Sequence, residues 1–244
     1  MTYTNKMNLK VGDTAGHGGS DPGACAFGYK EKDLALEIKN YTDGFLKRRG
    51  LTVYTNRKTD KDSSINSKTA MLNRAGVVCT NETHINAGGG EGCEVFYHSD
   101  SPEGKKLAKC ILDALVKYTG QKSRGIKPSR DLGMLNYTDM PSVLTEAAFI
   151  DNKRDVAKID TKKERERYGN AIAKGICNYL GIRWVSYKIR TTCRLKVREK
   201  PTSLSRQVHT YEKGAEIMCY RLSAKGKWGL TPKGWVNLKY VDKM

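Results

Sequence analysis

Residues 7–23 read MNLKVGDTAGHGGSDPG, a short alternating segment followed by a glycine-rich loop around one histidine. Apolar and polar residues alternate over Met7–Val11, which predicts a strand there. Glycine tolerates a positive φ and Asp-Pro-Gly favours a turn, so residues 14–23 are predicted to form a loop. In open α/β sheets, ligand sites gather where such loops follow strands. His17 is therefore the first candidate functional residue, with a solvated histidine in a surface turn as the alternative.

Strand-like and helix-like segments alternate up to about residue 182. Amphipathic helices are predicted from residue 31 to Gly50, from Pro102 to Gly120, and through Tyr168, Ile172 and Ile176 to Gly181. Strands are predicted at 51–55, 77–85, 93–98 and 142–147. Residues 58–72 have the composition of a polar loop, with one turn of helix before Gly76. This alternation predicts an α/β fold with a mostly parallel sheet and helices on both faces.

Beyond about residue 190 the helical periodicity disappears, and short strands separated by turns predict a small all-β barrel. These strands are expected at 193–199, 216–222, 228–231 and 234–241. Residues 182–190 are either a linker or the first edge strand. The predicted domains are residues 1–182 and 190–244.

The formal net charge is +18, and residues 183–244 carry about +11 of it. Such an excess indicates an acidic partner: nucleic acid, anionic lipid or an anionic wall polymer. Nucleic acid is not expected, because the chain has no recognition helix and no aromatic stacking strand. Membrane insertion is not expected either, since no run approaches the roughly 18 apolar residues of a span. The seven cysteines form no CxxC pair, which predicts free thiols and no cysteine zinc site.

Four histidines are present, at positions 17, 84, 98 and 209. A zinc hydrolase needs three ligands of the His/Glu kind, an open position for water, and a separate carboxylate to take a proton. His17, Glu31 and His84 have a spacing that suits ligands from adjacent strand ends. Solvated side chains remain the alternative at this point.

Several motifs occur in order over residues 7–182: GHGGSDPGA, GYKEKDLAL with its glutamate fourteen residues after His17, ETHINAGGGEGCEVFY, RGIKPSRDLGML and PSVLTEAAFIDN. Together they resemble the zinc-dependent N-acetylmuramoyl-L-alanine amidases (amidase type 3) of autolysins and phage endolysins. The resemblance implies zinc held by His17, Glu31 and His84, and a catalytic glutamate at Glu146. Apolar neighbours of Glu146 would raise its pKa toward that of a general base. A buried, salt-bridged structural glutamate is the alternative.

The chain departs from the family pattern just before the second histidine. Most relatives have a serine and an aliphatic residue where this chain has Glu82 and Thr83. Because Glu82 and His84 share a face of the predicted strand, Glu82 either orients the imidazole or competes as a ligand. His98 is predicted to be a surface histidine, and His209 has no assigned role.

The tail segments CRLKVREKPTSLSRQVHTYEKGAEIMCY and KWGLTPKGWVNLKYV resemble the bacterial SH3-like cell-wall-binding module. This resemblance implies a basic barrel that binds peptidoglycan. A barrel that serves only stability or dimerisation is the alternative.

These observations predict a peptidoglycan hydrolase that cleaves the amide bond between the lactyl group of N-acetylmuramic acid and L-alanine with zinc-activated water. No apolar segment marks the amino terminus for secretion, so an endolysin held in the host cytoplasm before lysis, and acting then on the wall, is expected. A zinc peptidase acting on stem peptides and a non-catalytic wall-binding protein are the alternatives.

Overall fold

A computed structural model of the chain describes residues 9–244. The strands of the first part are β1 (Lys10–Ala15), β2 (Cys25–Ala26), β3 (Tyr29–Lys30), β4 (Thr52–Tyr54), β5 (Thr80–Asn86), β6 (Cys93–His98), β7 (Ser123–Ser129) and β8 (Ser142–Phe149). The helices are α1 (Glu31–Arg48), α2 (Ile65–Ala75), α3 (Pro102–Thr119), α4 (Gly133–Asn136), α5 (Lys153–Val156) and α6 (Lys162–Tyr179). Contacts divide the described chain into two units, Leu9–Lys47 with Thr52–Tyr179, and Leu180–Met244 with Arg48–Leu51.

The first unit is built on a six-stranded sheet in the order β4-β1-β5-β8-β6-β7. Strands β4, β1, β5 and β8 are parallel, whereas β6 pairs antiparallel with β8 and parallel with β7. The sheet is therefore mostly parallel, as predicted. The carboxyl ends of β1, β5 and β8 lie at one edge of the sheet, which brings the residues near those ends together.

Helices cover both faces of this sheet, which confirms that prediction. In β1, a Cβ at Gly12 would lie 2.6 Å from a methyl group of Leu72 in α2. The next residue, Asp13, faces the opposite way and interacts with Lys39 and Asp43 of α1. Because successive residues of a strand point to opposite faces, α1 and α2 lie on opposite sides of the sheet.

The helices on the α1 face pack closely through glycine. Gly169 of α6 lies against the backbone of α1, where an added Cβ would be 2.7 Å from the carbonyl oxygen of Ile38. Gly175 of α6 lies against α3, where a Cβ would be 2.5 Å from Cα of Ile111. The predicted apolar faces are buried here, including Leu107, Ile111 and Leu115 of α3 and Tyr168, Ile172 and Ile176 of α6.

Two predicted elements of this unit are corrected by the structure. The strand expected at Met7–Val11 is β1, which runs from Lys10 through Ala15, while Met7 and Asn8 lie outside the described residues. Five of the six β1 residues are buried, including the polar residues Asp13 and Thr14. Because polar residues are rare in buried strands, the sequence pattern did not predict the second half of this strand. Residues 58–72, expected to be a loop, contain most of α2, which begins after the N-cap Ser64. Its side chain accepts a hydrogen bond from the backbone of Ser67.

The second unit is an antiparallel sheet in the order β11-β10-β14-β13-β12-β9-β15. Its strands are β9 (Arg183–Thr191), β10 (Leu195–Arg198), β11 (Gln207–Tyr211), β12 (Glu216–Leu222), β13 (Trp228–Thr231), β14 (Gly234–Asn237) and β15 (Val241–Lys243). A C-terminal all-β unit is present, as predicted, and its SH3-like character stays a prediction. Residues 182–190 were expected to be a linker or an edge strand, and all but the first of them lie in β9, an inner strand between β12 and β15. Among residues 9–244, none of the helices combines the length and the hydrophobicity that a membrane-spanning segment needs.

Replacing Gly175 with alanine tests the α3–α6 contact. Helix propensity alone would favour alanine by about 1 kcal/mol. The new Cβ would collide with the backbone of α3, and overpacking of this kind costs about 1–3 kcal/mol. We expect a net loss of stability, seen as a lower urea midpoint by circular dichroism. Glu166→Ala on the exposed face of α6 is the control and should change the midpoint little. A Gly175→Ala protein with a raised midpoint would contradict this packing.

Candidate metal centre

The three sequence-predicted ligands meet at the carboxyl edge of the sheet. His17 lies in the turn that follows β1, Glu31 is the first residue of α1, and His84 lies within β5. One ligand atom from each lies within 4.8 Å of the others, and no further group of this kind occurs among residues 9–244. The structure therefore brings together residues that are up to 67 positions apart in the chain.

Glu31 holds this cluster together through both of its carboxylate oxygens. Oε1 lies 2.8 Å from Nδ1 of His84 and accepts a hydrogen bond of 3.1 Å from the backbone N–H of Ile85. Oε2 lies 3.2 Å from Nε2 of His17 and accepts a hydrogen bond of 3.0 Å from the backbone N–H of Ala24. Each histidine is thus held through the same carboxylate.

The loop after β1 is shaped so that the cluster can close. A Cβ at Gly16 would lie 2.1 Å from Cε1 of His84, and a Cβ at Gly23 would lie 2.6 Å from Oε2 of Glu31. His17 itself has a φ of 54°, a conformation that costs a non-glycine residue about 1–3 kcal/mol. Arg57 holds the loop by donating from Nη2 to the carbonyl oxygen of Gly16, at 2.8 Å. Backbone strain at a predicted ligand is consistent with a functional loop.

Asp21 is a site residue that the sequence interpretation assigned only to a turn. Its Oδ2 lies 2.7 Å from Nδ1 of His17, on the side of the ring opposite Glu31. When the ring is neutral and Nδ1 donates to Asp21, Nε2 of His17 is the nitrogen left to bind a cation at the centre of the cluster. Carboxylates that contact the far nitrogen of a metal-binding histidine orient the ring and fix its tautomer. The Asp-Pro turn after His17 was the available signal.

The charges in the cluster shift one another's pKa. Burial alone would raise the pKa of Glu31, but hydrogen bonds from His17 and His84 hold it well below its usual range. Burial would lower the pKa of His84, and its hydrogen bonds to Glu31 and Glu82 instead raise that pKa to about 10. The hydrogen bond to Glu31 also raises the pKa of His17. A bound cation would replace the ring protons that these contacts stabilise, since metal ligation requires neutral imidazole.

Glu146 lies on β8 directly opposite His84 of β5. Residues opposed in neighbouring parallel strands point to the same face, so Glu146 faces the cluster side. Burial raises the pKa of Glu146 to about 7, with the positive field of His84 acting in the other direction. Its Oε2 is buried and has no hydrogen-bond partner among residues 9–244. A carboxyl group in this state is suited to exchanging a proton near neutral pH.

The register of β5 and β8 shifts immediately after this pair. His84 is opposite Glu146, but Asn86 is opposite Phe149, so β8 contains one extra residue there. Bulges of this kind re-aim side chains and are common beside active sites. The bulge gives the carboxyl end of β8 a direction different from that of a regular strand.

Glu82 shares a face with His84, as the strand pattern predicted. Its Oε2 lies 3.5 Å from Nε2 of His84, and its Oε1 contacts Nζ of Lys68 in α2. Glu82 is outside the His17–Glu31–His84 cluster. The sequence analysis did not identify Lys68. It lies within residues 58–72, which were predicted to form a loop, and no sequence pattern relates it to Glu82, fourteen positions later.

The two remaining histidines lie apart from the cluster. His98 ends β6, where Nδ1 accepts a hydrogen bond of 3.2 Å from the backbone N–H of Asp100. His209 lies in β11 of the second unit, with its ring edge-on to Tyr211 at a centroid distance of 5.1 Å. Neither histidine belongs to the cluster found among the described residues.

The chain belongs to the N-acetylmuramoyl-L-alanine amidase family, because the family's sequence model matches residues 14–178. An endolysin of Bacillus phage SPP1 is 35% identical over 185 residues, covering 72% of this chain and 68% of that protein. The sporulation-specific N-acetylmuramoyl-L-alanine amidase of Bacillus subtilis is 30% identical over 175 residues, covering 70% and 67%. The solved N-acetylmuramoyl-L-alanine amidase of Clostridium difficile 630 superposes with a TM-score of 0.68 at 26% identity, covering 72% of this chain and 98% of that one. The mixed α/β fold, with its mostly parallel sheet, is thus the fold of solved amidases.

Gly16→Ala tests whether the loop and the cluster depend on each other. The added Cβ would occupy the position of the His84 ring, so we expect the ring to be displaced and the binding of divalent metal to be lost. Gly28→Ala is the control, because an added Cβ at Gly28 has no heavy atom within 4 Å, although Gly28, unlike Gly16, has a positive φ. The control should lose about 1–2 kcal/mol of stability and keep its metal affinity. Metal titration by calorimetry measures the affinity of both variants, and unchanged metal binding in Gly16→Ala would contradict the close contact between Gly16 and His84.

Proposed function

We propose that this protein is a zinc-dependent peptidoglycan hydrolase that cleaves the amide bond between the lactyl group of N-acetylmuramic acid and L-alanine. The observation that carries the proposal is the His17–Glu31–His84 cluster with Glu146 on the adjacent strand, in a chain of the amidase family. The amidase relatives from Bacillus subtilis and Clostridium difficile support the reaction, and the endolysin supports action on the wall.

The donor set fits zinc. Two imidazoles and one carboxylate, with ligand atoms within 4.8 Å of one another, match a catalytic site that keeps one position open. His17, Glu31 and His84 would hold the metal. When bound there, zinc supplies a Lewis acid that polarises a carbonyl oxygen and lowers the pKa of water.

Glu146 acts on protons in this proposal. Its carboxylate takes the proton of the attacking water, and its carboxylic acid then returns a proton to the departing amine of L-alanine. Both steps require a pKa near the working pH, and burial provides it. The unpaired Oε2 is the atom free to carry that proton. Asp21 holds the His17 ring by its Nδ1, so that the ring keeps its orientation through the reaction.

The second unit serves, in this proposal, to hold the enzyme on the wall. A groove of about 320 Å³ in this unit is lined by Cys193, Arg194, Leu195, Lys196, Arg198, Ser203, Trp228, Asn237 and Tyr240. The lining contains three cations and no acidic residue, beside two aromatic rings. Such a surface is complementary to the carboxylates of peptidoglycan peptides.

The reaction itself is tested by digesting purified peptidoglycan with the zinc-loaded protein and analysing the fragments by mass spectrometry. Amidase action releases intact stem peptides with a free L-alanine amino group and leaves glycans with free lactyl carboxyl groups. New ends inside the stem peptide would identify a peptidase instead. Binding without fragment release would identify a wall-binding protein.

Glu146→Gln tests the proton carrier. We expect hydrolysis to fall by about 10²–10⁴-fold, the usual contribution of a general base, while one zinc per chain stays bound. In the unchanged protein, kcat/KM should fall as the pH drops and Glu146 is protonated, with a midpoint at or below about 7 because a bound cation lowers the pKa of a nearby carboxyl group. Glu146→Gln should lack this acid limb. His84→Ala is the comparison that loses zinc, and loss of zinc in Glu146→Gln would instead make Glu146 a ligand.

Two matched pairs of charge changes test the role of the second unit. Arg194→Gln with Lys196→Gln removes two exposed cations from the groove, and we expect binding to purified walls to weaken by about 2- to 30-fold. Lys105→Gln with Lys109→Gln removes the same charge from exposed positions of α3. Sedimentation with walls at rising salt measures binding, and hydrolysis of a soluble muramoyl peptide should not change in either variant. Equal loss of binding in both pairs would mean that net charge, rather than the groove, attracts the wall.

A further inference from the structure

Lys68 is a buried cation that the proposed reaction does not use. It lies near the N-terminal end of α2, and only 4% of the residue is exposed. Its Nζ contacts Oε1 of Glu82, which is 2% exposed and lies in the central strand β5. Each charge would be costly to bury alone, since an unpaired buried carboxylate or ammonium group costs several kcal/mol. The pair therefore connects α2 to the centre of the sheet.

The other oxygen of Glu82 faces the metal cluster. Oε2 lies 3.5 Å from Nε2 of His84, while Nδ1 of the same ring lies 2.8 Å from Oε1 of Glu31. The His84 ring is thus flanked at both nitrogens by carboxylates. Nδ1 faces the cluster and Nε2 faces away from it, toward Glu82. In this arrangement Nδ1 is the atom that can bind a metal. The proton of the neutral ring is then on Nε2, which donates a hydrogen bond to Glu82.

The Glu82 carboxylate could either bind the metal or accept a hydrogen bond from the His84 ring, and the contact with Lys68 favours the second position. A carboxylate two residues from a ligand on the same strand face is able to swing onto the metal as an additional ligand. With Oε1 held by Lys68 in α2, the carboxylate stays on the far side of the imidazole and remains an acceptor for its N–H. Removing the ammonium group would leave Glu82 buried, charged and free to rotate.

We propose that Lys68 is a positioning residue of the metal centre, which anchors Glu82 so that Glu82 orients the His84 imidazole and does not itself bind the metal. This inference rests on the proposed function, because it presumes zinc at the His17–Glu31–His84 cluster. It assigns a role to the contact between α2 and β5, and it selects one of the two roles that the sequence left open for Glu82.

The test is a double-mutant cycle on zinc affinity, using full-length Lys68→Met, Glu82→Gln and the combined variant. Chelator competition gives the zinc dissociation constant, and thermal unfolding of the metal-free proteins gives stability separately. We expect Lys68→Met to weaken zinc binding by about 10- to 100-fold, the usual effect of losing a group that orients a ligand. In the Glu82→Gln background the same change should alter zinc affinity by less than about 2-fold, because the carboxylate to be anchored is gone.

Arg165→Met is the matched control. Arg165 is also a buried cation of the first unit, and its Nε lies 2.8 Å from Oε2 of Glu37, on α1 and away from the cluster. Its loss should lower stability and leave zinc affinity unchanged. If Lys68→Met does not fold because Glu82 is left unpaired, the combined variant removes both charges. Weaker zinc binding in Glu82→Gln than in the unchanged protein then shows that Glu82 orients His84, and equal binding in the combined variant shows that Lys68 acts only through Glu82; failure of either overturns the role.

The outcomes separate this inference from the proposed function. Zinc affinity that is unchanged in Lys68→Met overturns the positioning role while leaving the metal centre intact. A combined variant that binds zinc much more weakly than Glu82→Gln overturns it too, since Lys68 would then act by another route. If the unchanged protein binds no zinc at all, the proposed function fails first, and the role of Lys68 fails with it.

Discussion

The site depends on one carboxylate placed at the start of a helix. Glu31 receives hydrogen bonds from two backbone N–H groups and contacts both imidazoles, so the loop after β1, the first turn of α1 and β5 meet at one side chain. A carboxylate has enough lone pairs for this, and hydrogen bonds to a charged acceptor are about twice as strong as neutral ones. The glycines around it are required because any Cβ at Gly16 or Gly23 would occupy the space of these contacts. The geometry of the site therefore requires glycine at these two positions of the loop.

Much of this arrangement could be predicted from the sequence. The α/β class and the apolar faces of α1, α3 and α6 follow from periodicity, which reports burial directly. The residues of the cluster were implied by the resemblance of the ordered motifs to the amidase family, whereas their spacing alone left solvated side chains as the alternative. The missed strands β7 and β11 both lie at sheet edges, where one row of hydrogen-bonding groups needs no partner. Pro128 and the polar side chains of Gln207–Tyr211 are tolerated there, and they remove the pattern that identifies an inner strand.

The contacts around the two histidines were harder to predict from the sequence, for a physical reason. Lys68 contacts Glu82, and Asp21 contacts His17, only after α2 and the loop have packed. The buried residues of α2 are Lys68, Thr69 and Leu72, so its inner face has few apolar side chains. The sequence of this helix therefore resembles that of a polar loop. A buried ion pair replaces part of the apolar stripe that normally reveals such a helix. The buried ion pair that lies next to His84 is thus also the reason why α2 was not predicted as a helix.

The position of β8 has a consequence for how the protein is made. This strand is the last of its sheet in the chain, yet it lies between β5 and β6 and carries Glu146. Until residue 149 has emerged from the ribosome, the sheet exists only as two halves, β4-β1-β5 and β6-β7, each with an open inner edge. Such edges are sites of mispairing, so the nascent chain is exposed to aggregation for most of its synthesis. In return, no shorter nascent chain places Glu146 beside the histidines, so under the proposed function hydrolysis of the wall cannot begin before the domain is nearly complete.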